Sequence, residues 1–194
     1  MLAVGDSLTA GYGLRSEDAF PAQLQRLLAR DLPEAVVQNG GVSGDTTAAA
    51  LARLPRLLSA LTRLPDLAIV ALGANDLLRG LPLSATRHNL DAIVAELARC
   101  GIPVLLGAMA APRFLGDFAS ACDQIYLDVA AAHGASVWPF FPPGVLAGRG
   151  LTLPDRIHPN AAAIARIAAH MLPAVTQALA ASDASPLNAR RASR

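Results

Sequence analysis

Leu67-Ala68-Ile69-Val70-Ala71-Leu72 is a continuous apolar run that stops at Gly73-Ala74-Asn75-Asp76. Such a run suits a central strand of a parallel sheet, buried on both faces. Outward from it the chain alternates. Upstream, Met1–Val4 ends at Gly5, and Ala35–Gln38 is closed by Asn39-Gly40-Gly41. Downstream, Pro103–Met109 and Ser136-Val137-Trp138 read as a fourth and a fifth strand. Between strands, apolar residues recur at helical spacing: Phe20, Leu24, Leu27 and Leu28, then Leu51, Leu54, Leu58 and Leu61, then Leu90, Ile93, Val94 and Leu97 with Ser84 as their cap. A helix over Ala119–His133 stops at Gly134. A last helix follows Pro159, and Pro173 is expected to kink or break it. Strict alternation of this kind implies right-handed crossovers with helices on both faces of the sheet. The expectation is a flavodoxin-like three-layer α/β/α sandwich around a five-stranded parallel sheet. One domain spans residues 1–181, and residues 182–194 read as a mobile C-terminal tail.

The 194 residues are 53% hydrophobic and 16% charged, with a mean hydropathy of +0.40. That excludes a disordered chain, which lacks the apolar surface to order itself. The net charge is +1, and every basic residue is Arg, without a cluster outside the last five positions. No nucleic-acid partner is expected from that distribution. Cys100 and Cys122 are too few for a disulfide framework; two free thiols or one bridge remain open. No apolar run reads as approaching the ~20 residues of a membrane span, so no stable membrane insertion is expected. The abrupt start on a strand leaves the compartment open: cytoplasmic as the chain stands, periplasmic or secreted if a leader has been removed. Oligomeric state is not legible.

In open α/β sheets, functional groups gather beyond the carboxyl ends of the strands. Four turns there carry polar residues: Gly5-Asp6-Ser7-Leu8, Gly41-Val42-Ser43-Gly44-Asp45, Gly73-Ala74-Asn75-Asp76 and Asp155-Arg156-Ile157-His158-Pro159. Their chemistry is complementary. Ser7 is a candidate nucleophile that needs a base. His158, an imidazole, can be that base. Asp155, three residues earlier, can fix the imidazole tautomer, the task of the acid in a Ser-His-Asp triad. The amides of Ser7 and Gly44 and the side chain of Asn75 are donors for an oxyanion hole. Asp155 and His158 alone are too few for a metal site. Asp6 and Asp45 read as turn-stabilising acceptors.

These blocks, in this order, resemble those of the SGNH (GDSL) hydrolases, whose four name-giving residues are matched by Ser7, Gly44, Asn75 and His158. The resemblance runs from residue 2 to about 180. It is strongest to the bacterial thioesterase I/arylesterase/lysophospholipase subgroup, through Gly5–Tyr12, Ser43–Thr46, Leu51-Ala52-Arg53-Leu54-Pro55 and Asn75-Asp76-x-Leu78-Arg79-Gly80. It implies a serine esterase for small to medium acyl esters, with thioesters as a further class, and no metal or organic cofactor. A carbohydrate O-acetylesterase and a non-catalytic flavodoxin-like binding module are the alternatives. For substrate binding the candidates are Arg79, which orients a substrate or pairs with an acid, and Phe114, Leu115 and Phe118, which hold an acyl chain or pack inward. Phe140-Phe141-Pro142-Pro143 forms another wall or anchors its loop.

Overall fold

The computed structural model describes residues 1–109, 111–145, 148 and 150–183. Five parallel strands lie in the order β2-β1-β3-β4-β5: β1 Leu2–Gly5, β2 Gln38–Gly41, β3 Ala68–Ala71, β4 Val104–Ala108 and β5 Ser136–Pro139. This is the flavodoxin-like order, as the alternation implied. Leu2 pairs in register with both Gln38 and Ala68, and Gly5 with both Gly41 and Ala71, so β1 sits between β2 and β3. The central strand β3 is buried at every residue. Seven helices follow in chain order among the described residues: α1 Ser7–Ala10, α2 Phe20–Leu28, α3 Thr47–Ser59, α4 Ala74–Leu78, α5 Leu83–Arg99, α6 Asp117–His133 and α7 Ala161–Asp183. α2 packs on α7, while α3, α5 and α6 pack in succession. Core side chains such as Phe20, Leu24, Ile69, Leu90, Ile93, Phe140, Ile167 and Met171 are wholly enclosed.

The structure corrects several boundaries. β2 is not Ala35–Gln38 but begins at the last of those residues, Gln38–Gly41. The apolar signal there was misleading, since Val36 is 57% exposed. The strand pairs through its backbone, and Gly40 is needed because a Cβ would approach the Ala3 carbonyl. Ser84 does not cap α5. The helix already begins at Leu83, with Pro82 in the capping position and no side-chain bond there. α7 runs without a break through Pro173. Its buried stripe of Ile164, Ile167, Ala168, Met171, Val175 and Ala178 holds it to the sheet layer across the missing N–H. By length and composition Ala161–Ala181 is also apolar enough to cross a membrane, although Arg166 and His170 interrupt the apolar run. α7 ends at Asp183, two residues beyond the expected domain limit, and the rest of the expected tail lies outside the described residues. Cys100 and Cys122 form no disulfide.

Candidate active site

Each functional side chain is delivered by a short turn that its own polar atoms stabilise. β1 stops at Gly5, and Asp6 begins α1 by accepting the Leu8 N–H at 3.0 Å through Oδ1. That turn leaves Ser7 at the carboxyl end of β1, only 9% exposed. On the far side of the chain, Asp155 organises a second turn. One carboxylate oxygen accepts the N–H groups of Ile157 and His158 at 2.9 and 3.0 Å, and the other faces His158 Nδ1 at 2.7 Å. Arg156 takes a positive φ of 60° to close this turn. A carboxylate only accepts, so Nδ1 carries the proton and Nε2 presents its lone pair. Nε2 lies 3.0 Å from Ser7 Oγ, which donates to it. Tyr12 stacks on the imidazole with ring centroids 4.4 Å apart. The three residues therefore form one continuous hydrogen-bonded line across a sequence separation of 151.

The other two turns meet the same point. Asp45 N–H donates to the Val42 carbonyl, and Gly44 takes φ +85° at the third position of that turn, where only glycine is unstrained. Gly73, at φ +115°, leads into α4, and a Cβ there would run onto the Tyr126 hydroxyl. α4 then projects Asn75, whose Nδ2 donates to Asp6 Oδ2 and to the Asp45 carbonyl, both at 3.0 Å. Asp76, 1% exposed, fastens the base of the same helix by accepting from the Thr47 N–H, the Thr47 hydroxyl and the Thr86 hydroxyl. The N–H groups of Ser7 and Gly44 reach no protein acceptor among the described residues. The structure thus brings Ser7, Gly44, Asn75, Asp155 and His158 together.

Beside Ser7 and His158 opens a cavity of about 360 Å³. Its walls are mostly apolar, built from Leu77, Leu83, Met109, Ile125, Phe141 and Ile157, and Cys122 and Tyr126 of α6 also line it. A larger concavity, about 680 Å³, lies at the amino ends of the strands around Met1, Glu34 and Asp66, remote from these groups. Phe114, Leu115 and Phe118 line neither; Phe114 is 87% exposed. Phe141 is a wall, while Phe140 belongs to the core. Arg79 pairs with no acid among the described residues; its Nη2 donates to the Gly44 carbonyl at 2.7 Å. Asp6 serves its turn as expected, whereas Asp45 pairs with Arg53 at 2.6 Å. Sequence reasoning missed Tyr12, Arg53 and the α6 wall. For α6, the spacing of Cys122, Ile125 and Tyr126 on one helical face was the available signal.

The two carboxyl groups nearest the serine differ in their electrostatics. Two backbone N–H groups and the imidazole hold Asp155 down to about 2, so it remains an anion. Burial pushes Asp6 up to about 6, against the opposing pull of the Leu8 N–H and the Asn75 amide. Among the described residues, no three His, Cys, Asp or Glu side chains converge as metal ligands. The arrangement sets a hydroxyl against an imidazole that a carboxylate orients, with two N–H groups that meet no protein acceptor among the described residues, beside an apolar cavity.

Comparison with known proteins agrees with that chemistry. Residues 3–166 match the GDSL-like lipase/acylhydrolase family. The chain is 36% identical over 174 residues to esterase TesA of Pseudomonas aeruginosa, covering 89% of this chain and 86% of that one. It is 34% identical to thioesterase 1/protease 1/lysophospholipase L1 of Escherichia coli K12, over 82% of this chain and 75% of that one. A crystal structure of TesA superposes with a TM-score of 0.84 at 35% identity, covering 91% of this chain and 98% of the other. With the family matched over most of its length and the esterase fold reproduced, the chain belongs to the GDSL-like lipase/acylhydrolase family, the SGNH hydrolases, and is a carboxylic ester hydrolase.

Proposed function

We propose that this esterase hydrolyses small to medium acyl esters, and acyl thioesters, through an acyl-enzyme on Ser7. The observation that carries the reading is the 3.0 Å approach of Ser7 Oγ to His158 Nε2 with Asp155 behind the ring. As Oγ bonds the acyl carbon, His158 takes its proton. Asp155 keeps the tautomer and stabilises the imidazolium. Negative charge on the former carbonyl oxygen is met by the N–H groups of Ser7 and Gly44 and by Asn75 Nδ2, each donor worth about 3 kcal/mol of barrier. Both Asn75 hydrogens are engaged at rest, so one bond must yield to the oxyanion. The ionised Asp6 holds its hydrogen more strongly than the neutral Asp45 carbonyl. The Asp45 bond is therefore the one exchanged, and Asp6 keeps the amide in place. The imidazolium then protonates the leaving alkoxide or thiolate, and water, activated by the same ring, releases the acid.

The apolar cavity supports the substrate class. At about 360 Å³ it lies at the small end of ligand pockets, which suits a short to medium aliphatic acyl group and offers little to a sugar. The thioesterase name of a relative supports thioesters. The test is Ser7→Ala against p-nitrophenyl butyrate and a butyryl thioester. The folded variant is expected to lose roughly four orders of magnitude in kcat on both, and to lose labelling by a fluorophosphonate. Undiminished turnover by the folded variant refutes the nucleophile.

A further inference from the structure

We infer that Arg53 is a positioning residue of the oxyanion site, a brace that holds the two free N–H donors at their working separation. It lies in Leu51-Ala52-Arg53-Leu54-Pro55, a stretch to which the reaction assigns no role. Arg53 stands on α3, the helix that starts directly after the Gly44 turn, and its side chain reaches back beneath that turn. Nε donates to Asp45 Oδ2 at 2.6 Å, and Nη2 donates to the Gly5 carbonyl at 3.1 Å. Both acceptors are one residue or two from an oxyanion donor. The Gly5 carbonyl belongs to the peptide that enters Asp6-Ser7. Asp45 follows Gly44 and also offers its own carbonyl to Asn75. One planar guanidinium thus spans the end of β1 and the turn after β2.

Other contacts also join these segments. Val42 N–H also donates to the Gly5 carbonyl, and Arg79 holds the Gly44 carbonyl from the α4 side. Apart from Asn75, itself a proposed oxyanion donor, Arg53 is the described side chain that bonds both donor-bearing segments. The ion pair is sheltered, with side chains 23% and 9% exposed, so solvent screens it less than a surface pair. Two donors in fixed relation are what a guanidinium provides. A lysine ammonium is a single point charge on a flexible stem and does not reproduce the pair. The brace fixes geometry before substrate arrives, which is where electrostatic preorganisation gains its effect.

The inference rests on the proposed roles of the Ser7 and Gly44 amides, so its test separates the two. Arg53→Met and Arg53→Lys are compared with the unaltered protein on p-nitrophenyl butyrate. The endpoint of fluorophosphonate labelling counts competent sites, and its rate constant reports stabilisation of the phosphoryl oxygen. Per labelled site, Arg53→Met is expected to lose about 10- to 100-fold in kcat with little change in KM, and to label slower by a similar factor. Arg53→Lys recovers only part of both. Where Arg53→Met does not fold, Asp45→Asn, which weakens the same contact, is expected to show the same split. A kcat per site and a labelling rate both within about threefold of the parent overturn the brace, as does full recovery by Lys. Persistence of labelling in Ser7→Ala would instead overturn the reading on which it rests.

Discussion

Replacing Asp6 by Asn removes a buried charge while keeping the side chain's shape, and its effect on stability has a sign that depends on pH. The carboxyl is 1% exposed and forms no ion pair among the described residues; its bonds are to the Leu8 N–H and the Asn75 amide. Burial raises it from 3.8 to about 6. A group raised on folding contributes stability that is complete below its unfolded value and is lost as pH climbs through its folded one. A shift of that size is worth roughly 3 kcal/mol, so the protein forfeits about 2–3 kcal/mol between about pH 4 and pH 7 as Asp6 ionises. Asp6→Asn has nothing to ionise there. It brings its own cost, because an Asn amide sets a donor against the Asn75 donor, but that cost does not vary with pH. Asp155 works in the opposite sense, contributing stability above 3.8 that falls away toward about 2, and does so equally in both proteins. Urea unfolding at about pH 4, 5, 6 and 7 is therefore expected to show the variant gaining on the parent by about 2–3 kcal/mol across the series. Because the Asn75 amide loses its anionic anchor, kcat is expected to fall even where the variant is the more stable protein. A difference between the two proteins that stays level with pH, within about 0.5 kcal/mol, refutes the argument that Asp6 is held ionised at a cost.

Two further outcomes follow from the glycine before Asn75 and from the cavity wall. Gly73→Ala forces φ +115° on a residue with a Cβ and drives that Cβ onto the Tyr126 hydroxyl, which donates to the Leu72 carbonyl at 2.9 Å. A loss of about 2–5 kcal/mol is expected, smaller in a Tyr126→Phe background where the clash is relieved; thermal melts of the four proteins check it, and equal losses in both backgrounds would show that the hydroxyl contact is immaterial. Leu83→Trp fills the cavity beside Ser7, the proposed acyl site, from the start of α5. Its kcat/KM for p-nitrophenyl octanoate relative to acetate is expected to drop by about tenfold or more, and an unchanged ratio would place the acyl chain elsewhere.

What the sequence made legible shares one property: the information is local. The β3 run announces a doubly covered strand because its burial is written into consecutive residues. The Asp155–His158 turn is readable because one carboxylate binds two N–H groups and the imidazole within three residues. Where the decisive contact is distant, residue type pointed the wrong way. β2 is an edge strand of Gln38, Asn39 and two glycines, held by backbone pairing to β1 and by room for Gly40 against the Ala3 carbonyl, and neither leaves an apolar signature. Phe114, Leu115 and Phe118 look like an acyl wall in one dimension, yet the walls beside Ser7 come from Leu77, Leu83 and one face of α6.

The same distinction explains why the candidate site was found without its supports. Ser7, Gly44, Asn75 and His158 each sit in a turn whose chemistry is visible in four or five consecutive residues. What aligns them is a second set of contacts spanning 29 to 69 residues: Asp76 to Thr47, Asn75 to Asp6, Arg79 to the Gly44 carbonyl and Arg53 to the Gly5 carbonyl. No periodicity encodes such pairs, because the partners are fixed only once β1, β2 and β3 have set the rim. The order of strands does this work. β1 lies between β2 and β3, so the turns after these three strands are forced into contact, and three of the four polar blocks must meet whatever their loops contain. Only the His158 turn arrives from outside the sheet, on the segment before α7. It is accordingly the one block that needs its own scaffold: the antiparallel bridge between Thr152 and Pro159, the bond from Leu153 N–H to the His158 carbonyl, and the Tyr12 ring stacked on its imidazole.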